Sequence, residues 1–231
     1  MQLRISRVAV LLPLVLCAAA CGGQSDDSAR WIGQTYLLEI PPANWSEPRG
    51  IGGDIGGFVP QFLFSVNHGG NGGNLAVTVG TAKGGTQDPC NPTTDVSMSG
   101  AQYPKSQIVA PTFPLHIVDT NQMPTVVVDA TIHDFAFNDI LPGNDPKSKA
   151  GQVTATIDAA EVYKLFRLIP NPTKDSVCQA LASAGAPCAA CAHNGQPYCL
   201  TIKAVQVVGT PASAAVKPVA AGSVPASCAT P

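Results

Sequence analysis

Residues 125–137 read TVVVDATIHDFAF, and the hydrophobic pattern of this stretch decides the fold class. From residue 126 to residue 132 every second side chain is apolar, which is the alternation of a β-strand with one buried face. After His133 and Asp134 the alternation resumes one residue out of step, at two phenylalanines. The slip predicts a β-bulge at His133 and Asp134, because one extra residue moves the following side chains to the other face.

Strand patterns on both sides of this stretch extend the β structure over most of the chain. Glycine (22) and proline (21) make up nearly a fifth of the 231 residues, a composition typical of short strands and many turns. Further strands are predicted at residues 32–40, 61–66, 75–81, 115–119, 152–157 and 198–208, with 61–66 and 75–81 forming a hairpin. Phe62 and Phe64 face one side of their strand and Leu63 the other, so both faces are predicted to be covered. The residues between Cys90 and Pro111 are too polar to form a core by themselves.

Two short helices are predicted in the second half of the chain. Asp158 is a suitable N-cap, and Glu161, three residues later, completes a capping-box pattern. Apolar residues at 162, 165, 166 and 169 follow at helical spacing until Pro170 ends the helix. A second helix is predicted at residues 174–184, with Gly185 as its C-terminal stop. The predicted fold is a β-rich α+β domain, an antiparallel sandwich or partly open barrel of about six to eight strands with two short helices.

The predicted bulge carries the nearest approach to a catalytic cluster. His133 and Asp134 are adjacent, and Asp129 lies two pleats away. A hydrolase using His133 and Asp134 is one hypothesis, because bulges often lie beside functional sites. Adjacent residues on a strand face opposite sides, however, and no GxSxG or HExxH motif is present to join them. We therefore expect both side chains at a solvent-exposed strand kink, and the sequence does not indicate an enzyme.

Two loop regions have compositions found in ligand-binding loops but lack the sequence motifs of such sites. Residues 44–58 are rich in glycine, without the GxxxxGK[ST] pattern of a phosphate-binding loop. Residues 138–145 offer Asp139, Asn144 and Asp145 to calcium, without the regular spacing and closing glutamate of an EF-hand. Both compositions are those of ordinary turns. No cofactor and no metal are predicted.

The first twenty residues have the order of a secretory signal. Arg4 and Arg7 form a basic region, and residues 8–16 form an apolar run interrupted only by Pro13. The run is shorter than the roughly 20 residues that a membrane-spanning helix needs, so we expect the segment to be removed. Three alanines then precede Cys21, and this ending resembles the lipobox of bacterial lipoproteins, with alanine at position 18 where leucine is commonest.

The resemblance to lipoproteins covers the signal alone, and no family is recognised for the folded part. It implies cleavage before Cys21 and a lipid on the Cys21 thiol that holds the protein on a membrane. Gly22 and Gly23 follow, and neither is the aspartate that favours retention at the inner membrane. The expected location is therefore the cell envelope, at the outer rather than the inner membrane. The alternative is a soluble secreted protein with an incidental cysteine.

Six further cysteines predict a disulfide framework, since an exported protein folds under oxidising conditions. They are Cys90, Cys178, Cys188, Cys191, Cys199 and Cys228. The four central cysteines are expected to pair among themselves, in an order that the sequence leaves open, and Cys90 with Cys228. The result is a disulfide-bonded C-terminal corner.

Two other interpretations of the central cysteines are less favoured. A metal site at these cysteines or His193 would lack the two close pairs and the reducing compartment typical of a zinc ribbon. A thiol redox centre at Cys188 and Cys191 needs its first cysteine at a helix N-terminus, whereas this CxxC follows a helix.

The chain divides by composition into four segments. Residues 1–20 are the signal, 21–30 a flexible tether, 31–208 a single β-rich domain, and 209–231 a low-complexity Ala/Pro tail predicted to be disordered except near Cys228. Loss of Arg4 and Arg7 with the signal leaves eleven basic and fifteen acidic residues, a formal charge of −4. A mildly acidic chain without a Lys/Arg cluster argues against nucleic acid as a partner.

Function follows only in outline. The leading hypothesis is a membrane-anchored, non-enzymatic lipoprotein that binds a small apolar ligand or an envelope protein, because many apolar strands could line a pocket. A structural cell-envelope protein without a small-molecule ligand is the second hypothesis. The hydrolase is the third.

Overall fold

In the part of the chain that the structure describes, eleven antiparallel strands form one sheet, and two short helices pack against it. The computed structural model describes residues 31–48, 59–67, 74–99, 107–119, 124–139, 151–166 and 169–228. The strands are β1 (Thr35–Leu38), β2 (Trp45–Glu47), β3 (Gln61–Asn67), β4 (Leu75–Lys83), β5 (Thr86–Gln87), β6 (Thr94–Ser99), β7 (Gln107–Asp119), β8 (Val126–Asn138), β9 (Gln152–Asp158), β10 (Cys199–Val205) and β11 (Thr210–Ala212). The helices are α1 (Ala159–Val162) and α2 (Lys174–Ser183).

Several sequence predictions fall outside these ranges. They are the signal at residues 1–20, the lipidation site Cys21, the tether at 21–30, most of the glycine-rich stretch 44–58 and most of the candidate calcium loop 138–145. In the part of the chain that is described, no helix is long and apolar enough to cross a membrane.

The sheet curls into a half-barrel, which confirms the predicted partly open barrel. The strand order is β11-β1-β3-β4-β6-β7-β8-β9-β10-β2, with β5 paired to β4. Residues 39–44 run from β1, near one edge, to β2 at the other edge, and residues 206–209 return from β10 to β11. The Asn44 side chain in the first connection donates to the Gln206 carbonyl in the second, at 3.1 Å. Two short connections therefore bridge the open seam.

Phenylalanine rings fill the concave side of the sheet. The Phe62 ring centroid lies 5.7 Å from that of Phe113 and 5.1 Å from that of Phe135. Phe64 meets Phe137 edge to face at 4.5 Å. All five side chains are fully buried, and such tilted contacts add to the stabilisation that their burial provides. The concave side of the half-barrel is thus filled by side chains.

The bulge predicted at His133 and Asp134 is confirmed. β8 pairs with β9 in one register at His133 and in another from Ala136, and Asp134 has a φ of 51°. β7 makes a matching change of face at Pro111 and Thr112 while keeping one register with β8. This second change was not predicted, because the predicted strand began at residue 115.

The polar residues after Cys90 form more regular structure than was predicted. They include β6 and the first half of β7, where Met98, Ile108 and Ala110 are buried. No strand was predicted here, although a strand needs only every second side chain to be apolar, and the polar residues occupy the other face.

The prediction that the tail is disordered except near Cys228 was wrong for its described residues, 209–228. Residues 210–212 pair with β1, and Val216 is buried against Leu63 and Ala82 on the convex face of the sheet. The Val216 amide donates to Ser65 Oγ at 2.7 Å, and Val219 exchanges two hydrogen bonds with Thr93. Both faces of the β3–β4 hairpin are covered as predicted, and the tail provides the cover.

The two helices differ in how closely they follow their predictions. Asp158 caps α1 by accepting from the Ala160 amide at 2.8 Å, but α1 is a single turn followed by a 3-10 turn, Tyr163–Leu165. Glu161 does not close a capping box, because its carboxylate accepts instead from the Thr131 amide of β8 at 2.6 Å. α2 agrees with the prediction, with Val177 and Leu181 buried and Gly185 at a φ of 85°.

Candidate functional site

A half-open groove of about 370 Å³ lies on the convex face of the β7–β8 hairpin. Apolar groups form most of its wall, and His116, Asp129 and Thr131 supply the polar ones. The lining residues are Cys90, Pro92, Pro114, Leu115, His116, Asp129, Ala130, Thr131, Ala221 and Val224. Three segments distant in sequence therefore meet here: the hairpin, the residues after Cys90, and the C-terminal tail.

His116 links the hairpin to the tail. Its Nδ1 lies 2.7 Å from Asp129 Oδ1, and its Nε2 lies 2.9 Å from the Cys228 carbonyl oxygen. Both partners are acceptors, so both contacts are hydrogen bonds only when each ring nitrogen carries a proton. The arrangement therefore favours the imidazolium form of His116.

The electrostatics of the groove agree with this assignment. Burial acts to lower the pKa of His116, but the hydrogen bonds to Asp129 and Cys228 and the charges of Asp129 and Asp88 outweigh it, and the pKa is raised. The His116 side chain is 15% exposed and that of Asp129 is 84% exposed. A half-buried histidine whose charged form is favoured thus lies beneath a carboxylate at the rim of the groove.

Asn91 holds His116 in place through the backbone. It is buried, its side-chain Oδ1 accepts from the His116 amide, and its Nδ2 donates to the His116 carbonyl at 3.3 Å. Nδ2 also donates to Asp88 Oδ2 at 3.1 Å. β6 pairs with β7 only as far as Val109, so Asn91 replaces a neighbouring strand at this edge. The prolines at 111 and 114 are tolerated for the same reason, since a backbone N–H is not needed there.

The candidate residues from the sequence do not form one site. Asp129 pairs with His116 across the hairpin, and the ring of His133 stacks instead on that of His193, with centroids 3.7 Å apart. Asp134 is exposed at the bulge. The hydrolase cluster of His133 and Asp134 is therefore not assembled.

The important missed residue is His116. His116 could have been identified only from its position opposite Asp129, and that position is known only when the register of the hairpin is known. The pair also gives no general base in the observed arrangement. Nε2, the nitrogen that would activate a nucleophile, is occupied by the Cys228 carbonyl.

The six cysteines form three disulfides, Cys90–Cys228, Cys178–Cys188 and Cys191–Cys199. The predicted pairing of Cys90 with Cys228, and of the four central cysteines among themselves, is confirmed. Cys188 and Cys191 each bond a different partner, so the CxxC is not a dithiol pair.

A second, apolar cavity lies under α1. Val162, Leu165 and Phe166 cover the end of the half-barrel beside Leu115 and Ala130. Its volume is about 30 Å³, and since one water needs about 10 to 15 Å³, it has room for little more than two water molecules.

Comparison with known proteins adds no functional assignment. No family model matches the chain, and no curated protein and no solved structure matches it significantly.

Proposed function

We propose that this chain is an exported protein, held at the outer membrane by a lipid on Cys21, whose folded part binds a small ligand in the groove beside His116 and Asp129. The proposal makes the protein a non-enzymatic binder. The ligand class is an apolar body carrying a cationic or hydrogen-bond-donating group.

The groove is the observation that carries the binding proposal. Its volume of about 370 Å³ falls within the range of about 300 to 1,000 Å³ that small-molecule sites occupy. Pro92, Pro114 and Val224 provide apolar walls, and the exposed Asp129 carboxylate is an acceptor at the rim. The interior of the half-barrel is a poorer site, because the cavity under α1 would have to grow roughly tenfold.

Membrane attachment rests on the lipobox-like ending at Cys21. Cys21→Ser removes the thiol that would carry the lipid. We expect the variant to lose acyl labelling and to leave the membrane fraction, while the parent retains both. Acylation or membrane fractionation of Cys21→Ser equal to the parent would disprove the anchor without affecting the binding proposal.

Ligand binding is tested by saturation-transfer NMR with hexylamine and, as its anionic counterpart, hexanoate. We expect the amine to bind and the carboxylate to bind much more weakly, because Asp129 repels it. Val224→Trp fills the groove, so neither probe should bind. Asp129→Asn removes the carboxylate charge, so the preference for the amine over the carboxylate should be lost. Val109→Trp is the control, since Val109 is 47% exposed on β7, the strand that carries His116, and does not line the groove. Equal binding of both probes, or no effect of Val224→Trp, would argue against the site.

A structural envelope protein without a small ligand is the second candidate. The packed phenylalanine core and the small cavity under α1 favour it. It predicts that neither probe binds and that the membrane-extracted protein carries no additional mass in native mass spectrometry.

A further inference from the structure

A disulfide and a histidine converge where the segment after α2 meets the start of β10. The ligand atoms of Cys191, His193 and Cys199 all lie within 4.8 Å of one another. Both cysteines are buried and bonded to each other, and His193 lies at the surface. We propose that reduction of the Cys191–Cys199 disulfide turns this group into a binding site for a thiophilic cation, with Zn²⁺ as the representative ion. The site is independent of the groove.

The donor set suits this class of ion. Two thiolates and an imidazole are typical zinc ligands, and three protein ligands leave a fourth position open to water or a further group. Among the described residues, this is the one group of three or more such side chains within ligand distance. The other two disulfides have no third donor of this kind beside them within the same ranges, so they serve as internal controls.

The backbone holds the two cysteines in position without the disulfide. Cys199 and Ala189 exchange two hydrogen bonds, at 2.8 and 3.0 Å. The Cys191 amide donates to the Gln196 carbonyl, and its carbonyl accepts from the Gly195 amide, each at 2.8 Å. These bonds do not involve sulfur, so we expect them to survive reduction.

The spacing of the cysteines also suits a bound ion. Their Cα atoms are 4.9 Å apart. Two thiolates on a tetrahedral zinc ion lie about 3.8 Å apart, given a Zn–S bond of about 2.3 Å. Rotation of the two side chains about their Cα–Cβ bonds is a small enough change to open that distance.

Neighbouring groups favour a cation here and orient the histidine. Asp158 is buried, and its Oδ2 lies 3.6 Å from His193 Nε2. A nearby carboxylate in a protected position stabilises positive charge. The ring of His133 stacks on His193 with an interplanar angle of 7°, which fixes the plane of the ligating ring.

Binding of the ion takes two steps, reduction of the disulfide and then coordination. A dithiol reductant supplies two electrons and two protons, the Cys191–Cys199 bond breaks to give two thiols, and the reductant closes to its own disulfide. Each thiol then releases its proton as its sulfur bonds the cation. Binding is therefore gated by redox state: the oxidised protein excludes the ion and the reduced protein takes it.

The test uses the full chain carrying Cys17→Ser and Cys21→Ser, so that its only thiols come from the three disulfides. The protein is reduced with dithiothreitol, freed of reductant under argon, and titrated with Co²⁺ as the spectroscopic substitute for Zn²⁺. We expect one Co²⁺ per chain with thiolate-to-cobalt charge transfer, displaced by Zn²⁺, and no such band before reduction. Zn²⁺ should also slow alkylation of Cys191 and Cys199, mapped by mass spectrometry, but not that of Cys178.

Variants decide whether the named residues form the site. Cys191→Ser/Cys199→Ser should abolish the charge-transfer band, and Cys178→Ser/Cys188→Ser should leave it unchanged. His193→Ala should weaken binding by about tenfold or more, since even outer partners of metal ligands contribute about 10- to 100-fold. Absence of the band in the reduced parent, its persistence without Cys191 and Cys199, or uniform alkylation of all six cysteines in Zn²⁺ would overturn the proposal. The alkylation pattern is read on the parent chain, so it does not depend on the folding of any variant.

Discussion

The C-terminal tail and the corner around α2 are both fixed by disulfides, but in different ways. Cys90–Cys228 joins residues 138 positions apart, and the tail it holds also pairs with β1 and covers the convex face. The corner has two short bridges, with separations of 10 and 8. A long closed loop restricts the unfolded chain more than a short one does. The comparison suggests that the tail bridge acts on global stability and the corner bridges on local order.

The largest expected effect is the loss of the tail bridge. In the loop-closure model, Cys90→Ser/Cys228→Ser lowers the free energy of unfolding by about 5 kcal/mol. Urea denaturation of the variant and its parent measures this change, and hydrogen exchange at residues 209–228 shows whether the tail is released. If the free energy of unfolding falls less in this variant than when a corner bridge is removed, the tail bridge is not the one that acts on global stability.

Removing a corner bridge should cost less and act locally. For Cys178→Ser/Cys188→Ser the same model gives about 3 kcal/mol, because the loop is short. Faster hydrogen exchange should be confined to α2 and residues 186–198. Exchange that increases equally in the tail would show that the two regions are not independent.

A third test separates tail packing from its covalent bond. Val216→Ala leaves the disulfide intact and removes two methyl groups from the contact with Leu63 and Ala82, at a cost of about 2 kcal/mol. Val109→Ala is the control, because the same change at an exposed valine should have almost no effect. Equal losses in the two variants would mean that the tail contributes no packing energy.

The smallest expected effect is the pH dependence of the His116 link. The pKa of His116 is raised in the folded protein, so its contribution is fully present below the unfolded value of about 6.5 and is lost as pH rises through the folded value. The partner carboxylate is largely exposed, so we expect no more than about 1 kcal/mol.

Denaturation curves from about pH 5 to pH 9 measure this contribution across the range in which histidine titrates. His116→Gln and Asp129→Asn should each flatten the profile. The protection factors of the amides at residues 221–228, which correct for the base-catalysed rise in intrinsic exchange, should fall with pH only in the parent. A parent that gains stability from this residue as pH rises would contradict the assigned charge state.

The sequence predicted what depends on local patterns. The alternation of apolar residues predicted β3, β4, β8 and β9, and its shift by one residue predicted the bulge. Each of these features depends only on side chains that are consecutive in sequence. The partition of the cysteines followed from their spacing. α2 followed from its apolar spacing and the glycine after it.

The groove could not be predicted because it depends on long-range register. His116 and Asp129 face each other only when β7 and β8 pair over their whole length. The prolines at 111 and 114 hid half of β7, and they are acceptable because β6 pairs with β7 only as far as Val109, so the backbone N–H that proline lacks is not needed there. The tail was misjudged for a related reason, since Val216 is a single apolar residue whose partner Leu63 lies on another strand.

The two edge strands of the sheet, β2 and β11, are short, and this affects how neighbouring molecules can associate. β2 and β11 are each three residues long, and Pro211 in β11 has no N–H to offer. Short edges and an edge proline are devices that prevent strands of neighbouring molecules from adding to a sheet. The proposed lipid would concentrate many copies in two dimensions, where edge-to-edge aggregation is most easily nucleated. At these two edges, adjacent copies would find little exposed backbone on which to begin a shared sheet.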